Sequence, residues 1–372
     1  MSIQSASLYK TLQKLYSRKI NLGLNRVNKV LNVLGKPHLQ LNNPINILGS
    51  DGKMSVLTSL KYFIEADKKK VTAFTSPHLY DFRHRFWLKN RYISIVEIKK
   101  FIKIIKKTKL NLTLFELLTC VYILAAKNIN NISYNLVESG LLFKRDSTNL
   151  WNSPRAQIIT NINFQHQDWI NPKTINEICI QKVAYLSKNS NIYIARQNPR
   201  TLKIIKNILK KNPSKKIYSS NWKIIKKNNK KYYKDNNQTI LLNTKLIHSD
   251  ALIDNLCLAI KVALDLGIKK KVISKTLPQI KFEGRVQYIN KGKLKNLLNK
   301  NEKILIDGCH SEASAKNLYN YLKTVKGPIY GIWGMQKNKL PEKFIKSFKK
   351  IFKKIITIPI QDEPNALMPK EL

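Results

Sequence analysis

The sequence predicts a two-domain α/β protein in which a mostly parallel sheet carries a phosphate-binding loop. Three observations support this fold class. A short apolar run, residues 45–48, ends at Gly49 and is followed by Gly52, Lys53 and Ser55. Apolar residues then recur at helical spacing, so the pattern is that of a strand, a tight turn and a helix. Short β-branched runs alternate with helical patterns in the rest of the chain, as is typical of parallel sheets.

The turn from Gly49 to Ser55 suits a phosphate group. Backbone N–H groups and the positive end of the helix dipole favour an anion there, and Lys53 adds a full charge. Ser55 is placed to reach a Mg²⁺ ion bound to a nucleotide. The spacing is irregular, because Gly49 precedes Gly52 by only three residues and Met54 separates the lysine from the serine. On these residues alone, a turn without a ligand is the more common outcome.

Composition favours a basic protein with a sizeable core. The chain has 372 residues, 43% of them hydrophobic, with 68 Lys and Arg against 22 Asp and Glu. Such a charge would suit nucleic acid or an anionic membrane. The basic residues are mostly lysine, however, are spread throughout, and accompany abundant Ile and Asn, a bias typical of A/T-rich codons. We therefore expect no specific nucleic-acid partner.

Cysteine usage and hydropathy indicate a cytoplasmic protein. The four cysteines have neither metal-ligand nor disulfide spacing. No apolar run approaches the ~18 residues that a membrane span needs. We expect no membrane association.

Elements of the first domain follow from periodicity. Helical spacing runs from residue 6 to residue 34 and stops at Gly35-Lys36-Pro37. The remaining predicted elements are strands at 71–75, 135–137 and 157–160 and helices at 95–107, 113–127, 174–186 and 250–266. Ser76, Glu138 and His166 lie just beyond three of the strands, where α/β sheets hold ligands.

A basic insertion and a second domain complete the chain. The segment of about 202–234 is dominated by Lys and Asn and predicts an amphipathic helix followed by a poorly ordered, charged excursion. A boundary near Gly284 divides the chain into domains 1–283 and 284–372. In the second domain we predict strands at 304–306, 330–333 and 355–358 with helices at 312–324 and 341–353. These form a thin parallel sheet, and we expect this domain to be truncated.

A series of short motifs, in order from about residue 8 onward, resembles the folylpolyglutamate synthase/dihydrofolate synthase family of the Mur ligase superfamily. The family's G-T-N-G-K-G-S loop is similar to residues 49–55, and its T-S-P-H-L is matched in full by residues 75–79. The other resemblances are T-F-F-E at 113–116, E-V-G-L-G-G-R-L-D-A-T-N at 138–149, D-H-x-D-W at 165–169, E-K-A-G at 181–184, P-G-R at 283–285 and D-G-A-H-N-P at 307–312.

The resemblance implies a fold and a set of site residues. The fold would be a Mur ligase central domain followed by a smaller Rossmann-like domain. The phosphates of ATP would be held by Gly49, Gly52, Lys53, Met54 and Ser55. The rest of the nucleotide would meet Asn255, Arg285, Asp307 and His310. Mg²⁺, with two ions expected, would be bound by Ser76, Glu138 and His166. Lys182 matches a lysine that is carbamylated in this superfamily, and we expect catalytic roles for Lys53, Lys182 and His310. The pterin would be faced by Thr113, Leu114, Phe115 and Glu116 and by Arg145, Asp146 and Ser147.

The resemblance also implies a reaction. ATP would phosphorylate a carboxylate of dihydropteroate or of a reduced folate, and the amine of L-glutamate would attack the resulting acyl phosphate. This chain departs from the family at Met54, Leu142, Phe143, Gln165 and Ser311. Most of these positions shape loops, so we expect an active but divergent ligase that works as a monomer.

Two alternatives stay open at this point. One is a Mur-type ligase acting on an amino-acid carboxylate, against which residues 113–116 argue. The other is a non-catalytic basic protein that binds nucleic acid, which would show strongly salt-dependent binding and no ATP turnover.

Overall fold

Strand β1 (Pro44–Leu48) lies in the middle of an eight-stranded sheet. The computed structural model describes residues 3–16, 21–165, 167–348, 350–361, 363 and 365–372. The other strands of this sheet are β2 (Val71–Phe74), β3 (Phe86–Leu88), β4 (Arg91–Tyr92), β5 (Tyr134–Glu138), β6 (Ala156–Ile159), β7 (Asn191–Ile194) and β8 (Lys216–Tyr218). Their order is β4-β3-β2-β5-β1-β6-β7-β8. Only the pairs of β3 with β2 and with β4 are antiparallel, so the predicted mostly parallel sheet is confirmed.

The sheet is covered by helices. They are α1 (Ile3–Leu15), α2 (Asn25–Val33), α3 (Lys53–Ala66), α4 (Ile95–Lys106), α5 (Leu114–Lys127), α6 (Ile175–Val183), α7 (Pro199–Leu209), α8 (Asp250–Asp265) and α9 (Lys270–Thr276). One apolar cluster joins α1, α2, α4 and α5 to β2 and β3. A second joins α6 and α7 to β6 and β7. All five residues of β1 are buried, as expected for a parallel strand covered on both faces.

Local sequence explains where several helices begin and end. Where the structure describes the predicted helical stretch of 6–34, it contains α1 and α2, and Gly35 and Lys36 follow α2 with φ of +77° and +56°. Helices α4 and α5 each begin with a capping box, Ser94 with Glu97 and Thr113 with Glu116. Each box satisfies N–H groups that a helix start leaves without a partner.

The prediction of a poorly ordered insertion after the amphipathic helix is wrong. Residues 222–241 form an antiparallel sheet of β9 (Trp222–Lys227), β10 (Lys230–Asp235) and β11 (Thr239–Leu241). Asn228 and Asn229 join β9 to β10 and have φ of +49° and +55°. Two such residues are the signal of a two-residue hairpin turn, and the density of lysines obscured it. Trp222, Tyr233 and Ile240 are buried and give the hairpin an apolar face.

The predicted second domain, residues 284–372, has its own small core. Its strands are β12 (Gln287–Ile289), β13 (Ile304–Ile306), β14 (Ile329–Trp333) and β15 (Phe352–Thr357), and its helices are α10 (Lys293–Asn296), α11 (Glu312–Leu322) and α12 (Pro341–Lys346). The expected single parallel sheet is wrong, because β13 pairs antiparallel with β12 while β14 pairs parallel with β15. The predicted helix of 341–353 ends at Lys346, and Lys350, with φ of +59°, is incompatible with its continuation.

The chain forms two compact units. The first comprises Met1–Asn243 with Asp254–Ile280, and the second Thr244–Ile253 with Lys281–Leu372. The predicted first domain, 1–283, differs from the first unit mainly because residues 244–253 fall in the second. None of the helices in the described part of the chain is both long and apolar enough to span a bilayer.

Candidate nucleotide-binding site

The glycine loop lies at the carboxyl end of β1, between that strand and α3. Gly49 has φ of +141° and Gly52 has φ of +92°, which side-chain-bearing residues rarely adopt. A β-carbon at Gly49 would lie 2.1 Å from Thr160 Oγ1, and one at Gly52 would lie 2.6 Å from Asn255 Oδ1. Both glycines are therefore required by conformation and by space. The loop has the strand–turn–helix geometry that the sequence predicted.

Lys53 is the first residue of α3 and curls back over the loop. Its Nζ donates to the carbonyl oxygens of Gly49 and Ser50, each at 3.2 Å. Met54 is half-buried and Ser55 is buried in the same helical turn. The first N–H groups of a helix have no intrahelical acceptor, so this turn presents donors and a cation in one place.

Ser76 follows β2 and Glu138 ends β5. These two strands are adjacent, and β5 also pairs with β1. The Ser76 N–H donates to Glu138 Oε2 at 3.2 Å. Glu138 is only 3% exposed, and both residues offer oxygen ligands of the kind that Mg²⁺ prefers. The third predicted metal ligand, His166, lies outside the described residues. Within the described residues, no group of three or more His, Cys, Asp or Glu side chains could hold a metal ion.

Arg85 is a buried cation beside this pair of residues. Its Nε donates to His78 Nδ1 at 3.0 Å and its Nη1 to Ser76 Oγ at 3.4 Å. Burial lowers the pKa of Arg85, and the attraction of Tyr9 and Glu138 opposes that effect. Burial, followed by the charge of Arg85, lowers the pKa of His78 to about 4. His78 therefore accepts a hydrogen bond as a neutral ring and serves the packing of this corner.

Lys182, on α6, is 1% exposed rather than solvated. Its Nζ donates to the carbonyl oxygen of Gly49 at 3.1 Å and to that of Leu141. Burial, and next the charge of Lys53, lower the pKa of Lys182 to about 7. A substantial share of this amine is neutral near pH 7, which is the form that reacts as a nucleophile.

The residues predicted to face a pterin differ in their surroundings. Glu116 is 3% exposed; it closes the α5 capping box and accepts from Arg26 Nε at 3.1 Å and Nη2 at 2.7 Å. Thr113 is the cap of that helix. Leu114 and Phe115 are partly buried, and Phe115 lies so close to Gly140 that a β-carbon there would stand 2.9 Å from its ring.

The loop after β5 is held together by Asp146. Its carboxylate accepts from the N–H groups of Gly140 at 2.9 Å and Leu141 at 3.1 Å, and from the Thr148 hydroxyl at 2.6 Å. Burial raises the pKa of Asp146, although these hydrogen bonds oppose the rise. Ser147 is buried and shares a hydrogen bond of 2.7 Å with Thr119, whereas Arg145 is exposed. Two of the departures from the family, Leu142 and Phe143, are buried apolar anchors of this loop.

The predicted nucleotide contacts of the second unit form a small loop of their own. Asp307 accepts from the N–H groups of Val286 at 2.8 Å and Cys309 at 2.7 Å. A β-carbon at Gly308 would lie 3.1 Å from Arg285 Nη1, so that glycine admits the guanidinium. His310 Nδ1 lies 2.9 Å from the carbonyl oxygen of Gly308. The nucleotide contacts of Arg285, Asp307 and His310 stay predictions.

Sequence reasoning missed Arg85, Asp51 and Gln197 as parts of this region. Gln197 accepts from the N–H of Ile162 and donates to the carbonyl of Thr160, and thus shapes the segment after β6. Arg85 had no distinguishing signal among 68 basic residues. Asp51 could have been found, because an acidic residue inside a loop suited to phosphate is unexpected.

Comparison with known proteins identifies relatives of similar fold. No protein-family model matches the chain. It is 26% identical to dihydrofolate synthetase of Saccharomyces cerevisiae over 326 residues, which are 83% of this chain and 74% of the relative. It is 24% identical to dihydrofolate synthase/folylpolyglutamate synthase of Haemophilus influenzae, over 88% of this chain and 76% of the relative. The fold is similar to that of Mycobacterium tuberculosis folylpolyglutamate synthase complexed with ADP, with a TM-score of 0.86, 18% identity and coverage of 99% of this chain and 84% of that one.

The sheet order, the glycine loop and the lysine that begins α3 define an α/β protein with a strand, a glycine loop and a helix at the centre of its sheet, and its fold is similar to that of folylpolyglutamate synthase. Within that class, the predicted resemblance to the folylpolyglutamate synthase/dihydrofolate synthase family is confirmed by both sequence and fold.

Proposed function

We propose that this protein is an ATP-dependent amide ligase that adds L-glutamate to dihydropteroate and to reduced folates. A carboxylate oxygen of the acceptor attacks the γ-phosphorus of ATP, and ADP leaves. The amine of glutamate then attacks the acyl carbon and loses a proton, and phosphate leaves as the amide forms. Phosphoryl transfer of this kind depends mostly on positioning and on neutralising charge.

The observation that carries the proposal is the loop of Gly49 to Ser55 at the end of a central buried strand. Gly52 and the start of α3 offer N–H donors, and Lys53 Nζ already lies against the loop carbonyls of Gly49 and Ser50 at 3.2 Å. In our proposal these groups bind the phosphates of ATP, and Asn255, which packs on Gly52, contacts the nucleotide beside them. Arg285, Asp307 and His310 keep their proposed nucleotide and catalytic roles.

The oxygen atoms of Ser76 and Glu138 suit Mg²⁺, which takes few protein ligands and keeps several waters. In our proposal they bind the ion together with His166, and the ion neutralises charge on the phosphates. Arg85 donates to Ser76 Oγ and thereby orients that hydroxyl.

Lys182 is proposed to carry a carbamate that helps hold a second Mg²⁺ ion. Its neutral amine would attack CO₂ and release one proton as the carbamate forms. Starting from the ammonium form, two protons are lost in all, which turns a cation into an anion. The burial of Lys182 and its pKa of about 7 support this reaction near neutral pH.

The pterin is proposed to lie near Phe115 and the loop of residues 140–147. Phe115 offers an aromatic face and Arg145 an exposed charge, so these two are the side chains we propose for direct contact. Glu116, Asp146 and Ser147 have protein partners and are proposed to support that surface. We further propose that the enzyme works as a monomer in the cytoplasm, in keeping with its four free cysteines.

Phosphate release tests the proposal directly. Purified protein is given ATP, Mg²⁺, glutamate and dihydropteroate, and phosphate is measured with each component omitted in turn. We expect release only in the complete mixture, with a product that is heavier by one glutamyl residue. Release without dihydropteroate would indicate simple ATP hydrolysis and count against the ligase. Release with amino-acid carboxylates in place of dihydropteroate would favour the Mur-type alternative.

A further inference from the structure

The phosphate loop is attached to the segment that follows β6. The N–H groups of Ser50 and Asp51 both donate to the carbonyl oxygen of Asn161, at 2.8 and 3.2 Å. Ser50 Oγ accepts from the N–H of Asn163 at 3.1 Å. These bonds hold the first half of the loop, and its second half, from Gly52 onward, leads into the first turn of α3.

A second set of hydrogen bonds uses the side chain of Asp51. Its Oδ2 accepts from Asn163 Nδ2 at 2.6 Å, and Gln165 Nε2 lies 3.2 Å from both carboxylate oxygens. Gln165 is the residue immediately before His166. The contact therefore joins the phosphate loop to the chain that carries a proposed metal ligand.

The chemistry of this contact is unusual for its location. A carboxylate in a loop that binds phosphates repels the ligand. Its presence therefore indicates a role other than direct contact with the phosphates. An ionised carboxylate only accepts hydrogen bonds and can accept several, whereas Asn163 and Gln165 each direct an amide N–H at it. Asp51 is thus the acceptor on which two donors converge.

We propose that Asp51 and Gln165 form a polar latch that holds the phosphate loop in its nucleotide-binding shape. Asp51 is a positioning residue, because it acts on the loop and not on the nucleotide. This proposal depends on the proposed function in one respect, namely that the ligand of the loop is ATP or ADP. The latch requires a hydrogen-bond acceptor at one of positions 51 and 165 and a donor at the other. Either position can supply the donor.

The test is a suppressor experiment with isosteric variants. Gln165→Glu places two carboxylates at hydrogen-bond distance and breaks the latch. In Asp51→Asn the Gln165 amide can turn to accept from the new amide at position 51, so the change alone is mild. The double variant restores a donor and an acceptor. In it, the amide oxygen at position 51 still accepts from Asn163, while the amide nitrogen donates to the carboxylate at position 165. Gln40→Glu adds the same charge at an exposed site and is the matched control.

Two readouts separate the latch from the proposed function. Hydrogen–deuterium exchange of residues 49–55 without ligand should rise in Gln165→Glu and return to the original level in the double variant. ADP affinity measured by calorimetry with Mg²⁺ should fall about tenfold in Gln165→Glu, a typical coupling between contacting side chains, and recover in the double variant.

Unchanged exchange in Gln165→Glu would overturn the latch. So would a double variant whose exchange is no lower than that of Gln165→Glu, because restoring a donor and an acceptor would then not restore the loop. Failure of the unaltered protein to bind ADP would count against the proposed function, whereas the ligand-free exchange would still report on the latch.

Discussion

The side-chain amide of Asn255 lies directly over Gly52, so that a β-carbon at residue 52 would stand 2.6 Å from Oδ1 and 2.7 Å from Nδ2 of Asn255. These two residues are distant in sequence, and they place α8 against the start of α3. Gly52 also has φ of +92°. Glycine at position 52 is thus needed both for the backbone conformation of the loop and for its packing against Asn255.

Replacing Gly52 with Ala should therefore abolish ADP binding, because the methyl group must displace Asn255 or the loop. Gly267→Ala is the matched control, since Gly267 has φ of +85° with nothing within 4 Å of a β-carbon. We expect Gly267→Ala to lower the free energy of unfolding by about 1 kcal/mol with normal ADP affinity. Equal affinities for the two variants, measured by calorimetry, would show that the contact with Asn255 is unimportant.

Lys53→Met should reduce turnover by about 100-fold, the usual loss when one preorganised group facing developing charge is removed. The melting temperature should hardly change, because the hydrogen bonds of Lys53 Nζ to described residues go to two loop carbonyls, each at 3.2 Å. Lys61→Met on the same helix is the control; Lys61 lies over the Trp87 ring, 3.7 Å from its centroid. ATP-dependent phosphate release reports both. A Lys53→Met enzyme with full activity would remove the phosphate loop from the mechanism.

Glu116→Gln should destabilise the first unit more than Glu97→Gln does. Both glutamates close a capping box and each accepts from an arginine, Arg26 and Arg91 respectively. The side chain of Glu116 is 5% exposed and that of Glu97 is 28% exposed. We expect a loss of about 1–3 kcal/mol at the buried pair and below about 1 kcal/mol at the exposed one. Urea unfolding measures both, and equal losses would contradict the burial argument.

The free energy of unfolding should fall as the pH is lowered, and Glu97 should account for part of this fall. The hydrogen bond from Arg91 lowers the pKa of Glu97 to about 2, while burial opposes this and Ser94 adds to it. Because the pKa is lower in the folded protein, the contribution is present above about pH 4.5 and is lost as the pH falls toward 2. The unfolding curve of Glu97→Gln should be flatter over that window. Glu342→Gln, at a side chain 87% exposed, should leave the pH dependence as it is.

The main sheet was predictable because its strands are short apolar runs between turn residues. Residues 45–48, 135–137 and 157–160 are buried on both faces, so their hydrophobicity alone marked them. Polar residues after such runs gather at one edge of a parallel sheet, and Ser76 and Glu138 do lie on neighbouring strand ends.

The rest depended on contacts between distant residues. The buried amine of Lys182 is satisfied by the carbonyl oxygens of Gly49 and Leu141. Neither contact can be predicted from the sequence around Lys182. The pairing of β13 with β12 was missed because β12, Gln287–Ile289, contains no apolar run like that of β13 to mark it as a strand. The Gln165 departure looked like a loss, yet its amide donates to Asp51.

Carbamylation of Lys182 gives the last prediction. The amine is buried, its pKa is lowered to about 7 by burial and by Lys53, and Asp146 and Asp51 act against that fall. Protein equilibrated with ¹³C-bicarbonate at a mildly alkaline pH should therefore show a carbamate carbon in its NMR spectrum, and acidification should remove the signal. Lys182→Arg should lack it, because a guanidinium stays protonated and does not react with CO₂.

Lys53→Met is the matched comparison for this experiment, because the reacting nitrogen of Lys182 is unchanged. Removing the Lys53 charge takes away one of the two causes that lower the pKa of Lys182. More of the amine is then protonated at a given pH, so the carbamate signal should persist but should need a higher pH to reach the same intensity. A carbamate signal that persists in Lys182→Arg would assign the modification to another lysine and leave Lys182 as a buried hydrogen-bond donor to the phosphate loop.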